Sequence, residues 1–253
     1  MKLTDTHAHI NMLSNPEMGI IEARDNNVGN IIIPSAGVED FEPVLDLCHR
    51  FDNTYALLGV HPEYADKFTD KIASKIYELS KDEKVVGIGE IGLDYHYSKE
   101  NKNAQKNCFI NQIQIALELN LPIIVHDREA HLDTYDILQQ EKAKNVLLHC
   151  FSGSTEFMEL CCRAGYKIAV GGVVTFKNAK AIKEVVQNID IDNLMLETDC
   201  PYLTPHPYRG EENSPKYIGF VAKEVANLKD MPYDSVVIKT SENASKFFKI
   251  ECI

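Results

Sequence analysis

Residues 85–94, VVGIGEIGLD, are almost unbroken in apolar and small side chains, yet they hold a carboxylate at Glu90 and another at Asp94. A strand with one face in water alternates apolar and polar residues, whereas a parallel strand buried on both faces does not. The stretch therefore reads as a buried parallel strand. A carboxylate inside such a run is costly unless it is paired or coordinated, so Glu90 marks a place where chemistry has been built into a core element.

Working outward, comparable runs occupy residues 3–10, 30–35, 55–61, 122–126, 145–151, 167–171 and 193–199. The segments between them have helical spacing. FINQIQIALELN, residues 109–120, sets Phe109, Ile113, Ala116 and Leu117 on one face, and SKIYELSKDE, residues 74–83, ends in a charged run that suits a helix exit. Strand followed by helix, repeated, is the grammar of a parallel α/β fold. No glycine- and serine-rich linker and no shift in composition divides the chain, and no glycine-rich phosphate loop follows the first run, which disfavours an open doubly wound sheet. The expected architecture is one (β/α)8 TIM-type barrel over residues 1–253, with an extra C-terminal helix after Val236.

The 253 residues are 44% hydrophobic and 25% charged, with a formal net charge of −12. That balance suits a globular protein and argues against one that coats duplex DNA through a broad basic face. It leaves room for binding one nucleic-acid end at a metal site. No basic, apolar leader and no run of membrane-spanning length occurs, so a cytoplasmic protein with no membrane association is expected. The seven cysteines lack the regular spacing of a disulfide framework. Cys161 and Cys162 are adjacent on an expected helix, so at least one should be a buried small hydrophobe.

The residues that are odd inside apolar runs gather at one end of them. His7 and His9 close the first run, His61 the third, Glu90 and Asp94 the fourth, His126 the fifth, His149 the sixth, and Glu197 and Asp199 the eighth. In a barrel these C-terminal strand ends form the rim that carries active sites. Side chains two apart on a strand share a face, so His7 and His9 should point together into the barrel mouth and share one cation. Histidine nitrogens with carboxylates and no cysteine suit zinc, manganese or, with enough oxygen ligands, magnesium.

Together these pieces, DTHAHI, GVHP, GIGEIGLDY, LPIIVHDREA, HCFSGS and LETDCPYLTPHPYRGEENSP, resemble in order and end to end the TatD family of metal-dependent deoxyribonucleases, within the amidohydrolase-like barrels. The resemblance implies one or two divalent metal ions per chain: one on His7, His9 and Asp199, a second on His126 and His149, with Glu90 bridging. It implies catalytic roles for Asp199, as acceptor of the water's proton, and for Glu90. Arg128, two residues after His126, is expected to hold a phosphate oxygen, with a surface ion pair to Glu129 or a neighbour as the alternative. His61 is expected to contact phosphate or water, and Glu197, Asp94 and Tyr95 to support the ligands. Asn11, Glu63, Glu211 and Glu212 depart from the family pattern, the last two where basic residues are usual. They suggest contact limited to a few nucleotides at a DNA end.

The expected reaction is metal-dependent 3′ to 5′ exonuclease cleavage of single-stranded or frayed DNA, with no obligate protein partner. Two alternatives stand beside it. One is the same metal machinery acting on a non-phosphate ester or amide, as in an aminoacyl-tRNA deacylase, and the other is a binding or structural protein whose metals only hold the barrel mouth together.

Overall fold

The structure, a computed structural model, describes residues 1–97 and 100–253. In chain order its elements are β1 (Leu3–Asp5), α1 (Pro16–Asp25), β2 (Val28–Pro34), α2 (Phe41–Arg50), β3 (Thr54–Leu58), α3 (Asp70–Leu79), β4 (Val85–Asp94), α4 (Lys102–Leu119), β5 (Ile123–Arg128), α5 (His131–Gln140), β6 (Val146–Leu148), α6 (Thr155–Arg163), β7 (Lys167–Val170), α7 (Lys180–Asn188), β8 (Leu194–Leu196), α8 (Ile218–Lys229) and α9 (Tyr233–Phe248). The strands follow chain order, β1 to β8, in one eight-stranded sheet. Each apolar run of the sequence supplies one strand. The described residues group into two compact units, 1–33 with 150–253, and 34–149.

In the discontinuous unit, β1 pairs in parallel with β2, and β7 with β8. Beyond β1 the Thr6 amide and hydroxyl both donate to Leu196 O, at 3.0 Å each. The extra C-terminal helix is present as α9, starting a little before Val236. It buries Val236, Val237, Ala244 and Phe248, and its Asn243 side chain donates to the carbonyls of Ile191 and Leu194. The last residues add a clasp: Lys2 N donates to Ile253 O, and the Asn30 side chain to Glu251 O.

In the second unit β4 pairs in parallel with β3 and β5, and β5 with β6. All of β4 is buried, as its composition requires. Gly92 has φ +145°, and a Cβ there would stand 2.0 Å from the His126 carbonyl oxygen, so only glycine lets β4 run this close to β5. Helix α4 packs with a different stripe from the one expected. Gln105, Cys108, Phe109, Gln112, Ile113 and Ala116 are buried, while Leu117 is exposed, because the stripe centres on two glutamines. Gln105 exchanges two hydrogen bonds with the Asp94 backbone, and Gln112 two with the Val60 backbone. Such pairing makes a buried amide tolerable, and it fixes the chain just beyond β3 and at the end of β4.

Candidate metal centre

The second unit carries a cluster built on one carboxylate oxygen. Glu90, on β4, is buried, and its Oε1 lies 2.7 Å from His126 Nδ1 and 2.7 Å from His149 Nε2. His61 Nε2 stands 3.6 Å from the same oxygen. Glu90, His61 and His126 form a group that can hold a metal ion. His61 and His149 follow β3 and β6 within a few residues, and His126 lies in β5 near its end, so three strand ends aim imidazoles at one carboxylate.

Two further nitrogens of the cluster are also set. His126 Nε2 lies 3.0 Å from Asp94 Oδ2, and Asp94 Oδ1 accepts the backbone N–H groups of His96 and Tyr97. Asp94 therefore stands behind His126, the place from which it would orient that imidazole as a ligand. Burial disfavours charge on His126, but the Asp94 and Glu90 carboxylates outweigh it and raise the imidazole to about 9. Burial likewise pushes Asp94 up, and His126 with the two backbone N–H groups more than reverses this, bringing it to about 2. His61 Nδ1 accepts the Glu63 N–H at 3.2 Å, so in neutral His61 the proton sits on Nε2, facing Glu90 as a donor.

The first unit carries a second cluster. His7 and His9 lie just past β1, which ends at Asp5 rather than continuing through the apolar run. They nonetheless face one another, with Nε2 atoms 3.3 Å apart, because backbone pairing persists beyond the strand. Ala8 N donates to Ile32 O, His9 N to Cys200 O, and Asp199 N to His7 O. Asp199 Oδ1 lies 3.7 Å from His9 Nε2. Beneath them Asp5, fully buried, accepts from the His7 and Thr198 backbone N–H groups and bonds the Thr198 hydroxyl at 2.6 Å. Burial pushes its carboxyl up to about 8. Asp5 thus ties the two ligand-bearing segments together. The sequence signal was visible, an acid opening DTHAHI, but pointed to no partner.

These donor sets fit divalent cations. Two nitrogens each about 2.0–2.1 Å from one ion at the tetrahedral angle stand about 3.3 Å apart, which is the His7 to His9 spacing. Close-set imidazole nitrogens around a buried carboxylate oxygen are the N/O environment that zinc or manganese takes. Cysteine does not compete: the Cys200 thiol, beside Asp199, is buried and held well above its ordinary pKa by burial and by Asp5.

The rim residues are placed as follows. The Arg128 guanidinium lies over the Tyr97 ring, 4.7 Å from its centre, while Glu129 pairs with His96 at 2.6 Å. Tyr95 does not support the ligands; its hydroxyl donates to Asp133 at 2.5 Å. Glu197 accepts the Cys150 N–H at 2.7 Å. The two acidic departures are occupied, since Glu212 accepts from Ser14 and Glu211 from the Tyr217 hydroxyl. Arg209 instead lies over Phe176, 3.9 Å from the ring centre.

Residues 4–249 match the family model described as TatD related DNase. The chain is 44% identical over 253 residues to the uncharacterized metal-dependent hydrolase YabD of Bacillus subtilis, covering 98% of this chain and 99% of that protein. It is 34% identical to the uncharacterized metal-dependent hydrolase YcfH of Escherichia coli K12, covering 99% and 97%. The crystal structure of YjjV, a TatD homologue from Escherichia coli K12, overlays with a TM-score of 0.94 at 29% identity, covering 98% of each chain. That likeness, with the strand order, assigns the fold to the (β/α)8 barrel class.

Proposed function

Because the chain belongs to the TatD-related DNase family and is a metal-dependent hydrolase, we propose that its reaction is hydrolysis of phosphodiester bonds at single-stranded or frayed DNA ends, from the 3′ side. The observation that carries this reading is the convergence of His126, His149 and His61 on one oxygen of buried Glu90. Such a centre, with an arginine on the rim beside it, suits an anionic ester.

In this reading His7, His9 and Asp199 hold one ion, and His126 and His149 a second. Glu90 would be a further ligand at the second of these clusters. Bound ions supply a water of lowered pKa and offset charge on the phosphate. Asp199 takes the proton of the attacking water at its carboxylate. Asp94 keeps the His126 proton on Nε2, leaving Nδ1 for a cation. His61, its Nδ1 committed to the Glu63 N–H, offers Nε2–H to a phosphate oxygen or water. Arg128 holds a further phosphate oxygen through its planar donor edge. Free thiols throughout the cysteine set support a reducing, cytoplasmic setting. No helix among the described residues is long and apolar enough to cross a membrane.

The test is a single-stranded oligonucleotide labelled separately at each end, incubated with protein stripped of metal and then given zinc, manganese or magnesium singly, beside folded His126→Ala. The expected outcome is a metal-dependent ladder shortening from the 3′ end, absent in the variant. An uncut oligonucleotide with every metal, alongside turnover of an aminoacyl ester or cyclic amide, would overturn the proposal.

A further inference from the structure

Tyr97 is the most exposed aromatic side chain among the described residues, at 65%. It is nonetheless held in place. Its N–H donates to Asp94 Oδ1 at 2.9 Å, the Arg128 guanidinium lies over its ring, and His96 meets it edge-on with centroids 5.0 Å apart. Asp94 and Arg128 are cross-strand partners in the β4 and β5 register, and the other oxygen of Asp94 faces His126. An exposed ring and a cation are thus fixed at the paired ends of β4 and β5, the two strands that carry Glu90 and His126.

Of the two acids that flank Arg128 in sequence, Glu129 meets His96 at 2.6 Å and Asp127 meets His131 at 2.8 Å. A guanidinium lying over a ring still has N–H donors to offer a planar or phosphate acceptor. An exposed ring beside a fixed cation matches the two halves of a nucleotide, since bases stack on aromatic rings without regard to sequence and phosphate pairs with arginine.

We propose that Tyr97 and Arg128 form a nucleotide subsite, in which a nucleobase of a single-stranded nucleic-acid end stacks on Tyr97 and its phosphate lies on the Arg128 guanidinium. This subsite rests on the phosphodiesterase reading and names where that substrate is gripped.

The test is fluorescence anisotropy with a short labelled oligodeoxythymidylate, its end linkages made phosphorothioate to slow cleavage, bound to manganese-loaded protein. A matched oligonucleotide has abasic tetrahydrofuran units in place of its end nucleosides. Tyr97→Leu is expected to weaken binding of the first about tenfold, the scale of one lost base stack. Tyr97→Phe should bind it like the unaltered protein, and all three proteins should bind the abasic oligonucleotide alike. Equal binding by Tyr97→Leu, or an equal loss on the abasic oligonucleotide, would overturn the subsite. The two readings separate cleanly: the expected binding pattern in a protein that cuts no phosphodiester overturns the nuclease and keeps the subsite. Normal cutting with indifferent Tyr97→Leu binding overturns the subsite alone, and no binding by the unaltered protein overturns both.

Discussion

Asp94 Oδ2 lies 3.0 Å from His126 Nε2, on the opposite side of the ring from Glu90 Oε1, which is 2.7 Å from Nδ1. A histidine gripped in this way has one nitrogen committed as a donor and the other free to ligate, and the carboxylate behind it makes the ligating nitrogen more basic. Asp94→Asn keeps the shape and removes that carboxylate. We expect metal affinity at this cluster to fall by about 10–100-fold with the fold retained. Isothermal titration with zinc or manganese measures it, and unchanged affinity would reduce Asp94 to a backbone tie for His96 and Tyr97.

The same geometry sets a pH dependence. In metal-free protein His126 is raised from 6.5 to about 9 by Asp94 and Glu90 against the effect of burial. A histidine raised on folding stabilises the fold fully below its unfolded value and loses that contribution as pH climbs through the folded one. Metal-free protein should therefore lose thermal stability between 6.5 and about 9, and His126→Gln should lose less over that window. A cation must displace the His126 proton, so below about 9 its uptake should release a proton and tighten as pH rises. Titrations in two buffers of different ionisation enthalpy would show this as a difference in heat. Equal heats would mean that His126 is already neutral.

The strands were legible because parallel strands buried on both faces leave long apolar runs, and the clustered histidines and acids because imidazoles and carboxylates interrupt those runs at one end. Strand ends were less so. The run through His7 and His9 continues its backbone bonding to Ile32 and Cys200, but the regular strand stops at Asp5. Gln105 and Gln112 read as polar helix positions, and only partners distant in the chain, at Asp94 and Val60, show why they are buried. Glu129 takes the left-handed backbone conformation, φ 55°, and meets His96, neither of which composition reveals. Composition shows the acidic pair Glu211 and Glu212 but not what positions it, which is the Tyr217 and Ser14 hydroxyls.

Asp5 offers a prediction separate from catalysis. Burial raises its carboxyl from 3.8 to about 8, even though Thr198 and His7 hydrogen bonds work in the other direction. An acid raised on folding costs stability increasingly as pH climbs from the unfolded value to the folded one. Asparagine keeps an acceptor for the Thr198 N–H and gains a donor for its hydroxyl. Asp5→Asn should melt higher than the unaltered protein above about 8, and the gap should close toward acid. Thermal melts across that range decide it; a variant less stable at the alkaline end would mean that the ionised carboxylate is the form that holds the two ligand segments together.

Gly92 is where packing and the metal cluster depend on one another most directly. A Cβ there would lie 2.0 Å from the carbonyl oxygen of His126, and its φ of +145° is one that side-chain-bearing residues rarely adopt. Relief would require β4 and β5 to part at the register position that pairs Gly92 with His126, two residues beyond Glu90 on β4. The strain and the lost pairing should destabilise Gly92→Ala by about 3 kcal/mol or more, the upper range for single substitutions. More telling is where the damage falls. Parting these strands draws His126 from Glu90, while His7, His9 and Asp199 sit on segments the substitution does not touch. In a protein that takes up two equivalents of manganese, the variant, kept cool enough to stay folded, should retain one. Denaturant melts beside metal stoichiometry by elemental analysis test both halves. Loss of stability with both equivalents kept would show that the cluster tolerates a shift of its own strands.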